Sequence, residues 1–272
     1  MVIDTGRSRP EGAGIAELSV ALPLLILLGL GVIQLGLLAM DALIARYAAM
    51  GSARYIAARG LDRVTIEAGL MQSTTILYSG VINLRDKPAA LLEAKSRGAR
   101  GFARDRALGF LDWAVLTPTR DSFDDWAESG EGVLGPLRAG MQITDRLPNS
   151  GVLTRERGLA VGRQSRQTYL DANTLKLRVT VGAGLTIPVV GPMLADTYAW
   201  LRGCGAEPKE KSLGSISIRG SAFLPQPDAL SAVECRMLRG LKVEGRHERR
   251  FPITVIALAQ LQAPVTRSEL PN

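Results

Sequence analysis

From Leu18 to Met40 the chain carries no charged side chain. This run of about 23 residues exceeds the roughly 20 that a helix needs to cross the hydrocarbon of a bilayer. A cleaved secretory peptide has an apolar region of about 7 to 15 residues with a small-residue cut site behind it. Here the run is longer and passes directly into Asp41-Ala-Leu-Ile-Ala-Arg46, so it reads as a span that stays with the protein.

Within the span, Pro23 removes one helical hydrogen bond and crowds the preceding turn, so a kink is expected between Ser19 and Pro23. Ser19 or a neighbouring helix can take up the freed carbonyl. Gly29, Gly31 and Gly36 thin the helix, and Gln34 offers a hydrogen bond to another helix packed there. The ordinary abundance of glycine in membrane helices accounts for these positions at least as well. Glu17 stands at the doorway of the run, where an ionised carboxylate calls for a functional reason. The competing reading is that it lies at headgroup depth and reaches water.

A basic leader with Arg7 and Arg9, then Gly12, the small Ala13, Glu17 as the fifth residue beyond the glycine, and an apolar helix with an early Pro23 resemble the class III signal of type IV pilins and pseudopilins. The continuation Ala42-Leu-Ile-Ala-Arg-Tyr-Ala-Ala-Met-Gly-Ser-Ala-Arg-Tyr55 is similar, more narrowly, to the TadE-like family. These are the minor pilins or pseudopilins of the tight-adherence (Flp) pilus. Leu116-Thr-Pro-Thr-Arg-Asp-Ser-Phe123 and Gln167-Thr-Tyr-Leu-Asp-Ala-Asn-Thr-Leu-Lys-Leu-Arg-Val-Thr-Val181 also resemble stretches of longer members, which extends the likeness to about Leu194. The chain departs from the pattern at Glu11, where a basic residue usually precedes the glycine. It departs again at Gly182-Ala183-Gly184, where aromatic or Cys residues are expected.

The resemblance implies removal of the leader by a prepilin peptidase after Gly12, leaving Ala13 as a new and often methylated N-terminus. Glu17 would then pair with the free amine of a neighbouring subunit, offsetting the cost of a carboxylate in hydrocarbon and setting axial register. It also implies a single-pass protein of the bacterial inner membrane with a periplasmic C-terminal body, and leaves incorporation into an extracellular pilus open. The implied partners are other pilin subunits and pseudopilins, the prepilin peptidase, the inner-membrane assembly platform and membrane lipid. The Lys/Arg count alone does not orient the span, because Arg46, Arg54 and Arg59 follow it as Arg7 and Arg9 precede it. The resemblance decides for N-in, and a long domain can cross a membrane largely regardless of its charge.

The chain beyond the span, with 46% hydrophobic and 5% aromatic residues overall, is ample for a folded body. No proline interrupts the stretch from Asp41 to about Val81, so the helix is expected to continue there. Arg46, Arg54 and Asp62 mark one side of it and Leu43, Tyr47 and Met50 another. It reads equally as an arm that packs between subunits or as an amphipathic helix folded back on its own domain. A second helix is expected from Ala89 to Trp113, and proline- and glycine-containing loops from Thr117 to Arg166. Strand signals follow at Thr174–Val181, Ser215–Arg219 and Phe251–Ala257. The expected class is α+β with an antiparallel sheet, organised as a leader (1–12), a transmembrane helix (13–41), a helical arm (42–115) and a periplasmic α+β domain (116–272).

Cys204 and Cys235 are the two cysteines. In a periplasmic body they are placed to form a disulfide closing about 32 residues, worth roughly 3 to 4 kcal/mol in the chain-entropy picture. In a cytosolic body they would be free thiols.

The net charge of +7 raises a nucleic-acid reading at Arg97-Gly-Ala-Arg-Gly-Phe-Ala-Arg-Asp-Arg106, with Phe102 available to stack. Glu93, Asp105 and Asp112 interrupt that patch, and a solvated helix or a contact with anionic lipid explains it better, so no nucleic-acid partner is expected. The sole histidine, His247, lies in a charged run and reads as a solvated turn. No serine elbow, His-Glu-x-x-His or phosphate loop is present. Asp121, Asp124, Asp125 and Glu128 lack EF-hand spacing and read instead as a helix start at Asp121 or Ser122. The expectation is a structural subunit, not an enzyme, with no cofactor or metal. A tip adhesin, or an anchored periplasmic protein with an unrecognised enzymatic or receptor activity, are the alternatives.

Overall fold

The computed structural model describes residues 13–79, 88–127, 146–147, 160–204, 230–243 and 245–270. Gly12, Glu128 and the strand expected at Ser215–Arg219 lie outside them. The fold is α+β.

Helix α1 runs from Ala13 to Arg59, 47 residues, or about 70 Å at 1.5 Å per residue. It does not continue to Val81. Gly60 takes φ +137°, a conformation open to glycine, and its N–H closes the last turn on the Ile56 carbonyl at 2.9 Å. The Asp62 carboxylate then accepts from the Thr65 N–H at 2.9 Å and starts α2 (Arg63–Ser79), which returns along α1. Absence of proline was a poor guide here because a single glycine suffices to end a helix.

Helix α3 (Pro88–Leu108) packs on α2. Gly98 and Gly101 make the approach possible: a Cβ at these positions would lie 2.5 Å from Thr75 Cγ2 and 2.6 Å from Tyr78 Cγ. The helix expected to reach Trp113 stops at Leu108, since Gly109 at φ +73° turns the chain into strand β1 (Leu111–Thr117).

β1, β3 (Thr174–Gly184) and β6 (Arg250–Gln260) form an antiparallel sheet in the order β1-β3-β6. Leu175, Leu177, Val179 and Val181 alternate onto one buried face, where they join Ala49, Ala53 and Ile56 of α1 in the core. Thr180 and Thr254 pair hydroxyls at 3.0 Å across the other face. β3 is longer than its period-two signal because Gly182 lets chains pass: a Cβ there would lie 2.8 Å from Arg250 Cβ and 3.3 Å from the Phe110 carbonyl oxygen. That close approach is why an aromatic residue is not accommodated at 182.

Shorter elements complete the body. α4 (Arg120–Trp126) and α5 (Tyr169–Ala172) lie toward one end of the sheet, where β2 (Arg146–Leu147) pairs with β7 (Val265–Thr266). At the other end are α6 (Val190–Leu201), α7 (Ala232–Arg239) and the hairpin β4 (Leu241–Val243) and β5 (Arg246–Glu248). The N-cap of α4 is Thr119, in a reciprocal capping box with Ser122, so the helix begins ahead of both Asp121 and Ser122.

Candidate functional site: a helix half bare and half covered

Ala13 opens α1 and Glu17 is exposed one turn later. Beyond it, large apolar side chains face outward on every side: Val20 is 68% exposed, Leu24 65%, Leu28 68% and Val32 63%. Pro23 lies inside the helix, which continues past it. A Cβ at Gly29, Gly31 or Gly36 would meet nothing within 4 Å. This stretch is long and apolar enough to cross a membrane.

The covered half begins at Gln34. Its side chain is fully buried, with Oε1 accepting from the Ile187 N–H at 3.0 Å and Nε2 donating to the Gly184 carbonyl at 3.4 Å. The amide therefore bonds the chain's own body rather than a second helix, a correction to the reading from sequence. Further along, Ala45, Ala48, Ala49, Ser52, Ala53 and Ile56 form the buried stripe. Leu43, Tyr47 and Met50 lie outside it, at 49%, 69% and 51% exposed. Arg46 and Arg54 are exposed on the same outer face, so the arginines and these apolar residues do not mark the opposite sides expected from sequence; the inner stripe is mainly small residues, with Ile56 the large one among them.

At the near end of the sheet, Cys204 and Cys235 form a disulfide with Cα atoms 5.4 Å apart, tying the end of α6 to α7. Arg239 donates from Nε and Nη2 to the Cys204 carbonyl at 3.2 and 2.6 Å. His247 is exposed on β5, its Nε2 2.8 Å from the Arg239 carbonyl oxygen.

The stretches quoted at 116–123 and 167–181 meet each other. Ser122 donates to the Gln167 side chain at 2.7 Å, and Thr117 donates to the Thr174 carbonyl at 2.6 Å. Thr168 and Asp171 form a capping box, and Asn173 donates to the Tyr169 carbonyl at 3.0 Å. The Asp-Ala-Asn segment is therefore a turn that launches β3. The acidic group nearby does not converge: Asp124 pairs with Arg267, while Asp125 accepts from Gln164 and Ser165. Among the described residues no cluster of three or more His, Cys, Asp or Glu is placed to hold a metal ion.

The basic patch of α3 is likewise engaged. Phe102 is buried in the core and offers no stacking face. Arg104 pairs with Glu248 at 2.6 Å, and Arg106 with Asp112 at 3.6 Å. Arg250 also holds Glu248. Burial raises the Glu248 carboxyl, but hydrogen bonding and charge from Arg250 and Arg104 outweigh this and leave it below the usual range. Asp105 shows the opposite balance: burial pushes it up, and Arg250 offsets this only in part.

The Gln34 contact was missed from sequence. Its signal was the one amide side chain in the run, with an uncharged stretch from Val179 to Ala195 to receive it. No curated protein and no solved structure matches the chain. A family model described as TadE-like protein matches residues 12–54, which covers the bare half of α1 and most of the covered half. The match stops short of 116–123 and 167–181, so the likeness drawn there rests on the residues alone. Over residues 12–54, from the glycine before α1 to Arg54 on its covered half, the chain is TadE-like.

Proposed function

We propose that this chain is a membrane-anchored minor pilin or pseudopilin that supports the assembly of a tight-adherence (Flp) pilus by priming, capping or regulating it. The observation that carries the reading is the division of α1. Its TadE-like segment is bare and apolar to about Ile33, and then keeps Leu43, Tyr47 and Met50 exposed beside Arg46 and Arg54 on its outer face while its inner stripe is covered. A helix so built anchors in lipid by its first half and offers a strip for a neighbouring subunit along its second. The leader ending at Gly12 is removed by a prepilin peptidase, Glu17 docks to the freed amine of another subunit, and the body stands in the periplasm. The disulfide between Cys204 and Cys235 suits an oxidising compartment.

The test is the N-terminus of the protein recovered from membranes, read by mass spectrometry in cells with and without the peptidase. A chain that starts at Ala13 only when the peptidase is present supports the reading. An intact leader, or a cut beyond the apolar run, sinks it.

A further inference from the structure

We infer that the loop 185–189 and the outer face of α6 seat on the phospholipid headgroup zone beside the transmembrane helix, so that the body rests on the membrane. The inference relies on α1 crossing the bilayer, as proposed above. It begins with depth. Counted from Glu17, a hydrocarbon layer of about 30 Å ends near residue 37 at 1.5 Å per residue. Gln34 thus lies within about one turn of that boundary, and the groups that satisfy its amide, the Gly184 carbonyl and the Ile187 N–H, are held beside it at the edge of the hydrocarbon.

The sheet geometry agrees. Gln262 N–H bonds the Ala57 carbonyl just beyond the far end of β6, and Gln34 bonds Gly184 at the near end of β3. From Gln34 to Ala57 the helix spans about 35 Å, and the strand from Thr174 to Gly184 spans about as much at 3.3 Å per residue. β3 therefore runs alongside the covered half of α1, and Gly184 is its membrane-proximal tip.

Helix α6 lies across that tip. A Cβ at Gly191 would be 2.9 Å from Leu185 Cβ, Asp196 pairs with Arg249 at 2.8 Å, and Tyr198 packs on Phe251 with ring centroids 4.8 Å apart. These partners all fall within a few residues of the register pair Gly184 and Arg250. On its open side the element presents Val189 at 59%, Met193 at 57%, Trp200 at 80% and Leu201 at 65% exposed. The stretch from Val179 to Ala195 holds no charge over 17 residues. An exposed tryptophan with aliphatic neighbours, beside a span and without charge on its leading loop, has the chemistry of the membrane interface. Asp196, on the same face and paired with Arg249, limits the seating to headgroup depth.

The experiment places the full-length chain in vesicles of phosphatidylcholine and phosphatidylglycerol whose acyl chains are brominated close to the glycerol. Tryptophan emission is recorded for the wild type and for Trp200→Phe, and the difference isolates Trp200 from the half-buried Trp113 and the buried Trp126. Trp200 is expected to lose most of its emission in brominated bilayers, and Met193→Glu to restore much of it without altering thermal unfolding of the body. Alkaline carbonate extraction of the same vesicles reports the span independently. Retention with unquenched Trp200 overturns the seating while the span stands, and a cross-link through Met193 to a second copy would then assign the face to that copy. Extraction of the chain overturns the span and the seating with it.

Discussion

The two halves of α1 obey opposite rules of side-chain size. Between Leu18 and Ile33 no residue of the helix is buried and most are large aliphatics, whereas from Ala45 to Ala57 the covered stripe is mainly alanine. The difference follows from what surrounds each half. A helix in lipid needs apolar area on all sides, while one pressed against a sheet needs short side chains so that the facing Leu175, Leu177 and Val179 can reach its backbone. Gln34 is the hinge between these regimes, a polar group tolerated because the body brings it two partners.

Enlarging the covered stripe should break this arrangement most severely. Ala53 is fully buried, and Ala53→Leu is expected to destabilise the body by about 3 kcal/mol through overpacking. Leu28→Ala, on the bare half, should leave the body within about 0.5 kcal/mol of wild type. Urea unfolding of the full chain in mild detergent compares the two, and equal effects would end the distinction. Gln34→Leu is intermediate: it strands the Gly184 carbonyl and the Ile187 N–H at an expected cost of about 2 kcal/mol. Hydrogen exchange at the Ile187 amide should rise in that variant and stay unchanged in Leu28→Ala.

The same size rule extends to α3. Gly101→Ala improves helix propensity by about 1 kcal/mol but drives a Cβ to 2.6 Å from the Tyr78 ring, for a net loss expected near 1 kcal/mol. A gain in melting temperature would mean that α2 and α3 are loosely packed.

How much of this was legible depends on the range of the forces involved. The span was readable from the length of its uncharged apolar run, and the strands at 174–181 and 251–257 from alternation and β-branched residues between turn signals. The class α+β followed from their order. The end of α1 was missed because Gly60 acts through a backbone conformation with no composition signal around it. Leu43, Tyr47 and Met50 were set on a side opposite the arginines, whereas Arg46 and Arg54 share their exposed face, and nothing local says that the covered stripe is the alanine one. Gln34 was visible as a polar intruder, and its partners, some 150 residues away, were not. Glu17 and Pro23 were noticed for their positions in the run, and in the folded chain they lie on the bare half, where subunit contacts and not the body's own fold would give them work.

The smallest expected effects concern charge, which the span excludes and the body arranges in pairs. The carboxyl of Glu248, held by Arg104 and Arg250, titrates below its ordinary range when folded. Its contribution is present above the unfolded value of about 4.3 and is lost as the pH falls through the lower folded value. Glu248→Gln should therefore reduce stability at neutral pH and flatten the acid limb of the stability curve. Asp105 works in reverse. Its folded carboxyl is raised by burial, so the folded state holds a proton that the unfolded state has released, and stability falls as the pH climbs above the ordinary aspartate range. Asp105→Asn should remove that decline and leave the body at least as stable as wild type at neutral pH. Because Arg250 faces both carboxyls, the double variant should depart from the sum of the two singles. Strict additivity across pH would mean that the two groups titrate independently and that Arg250 does not link them.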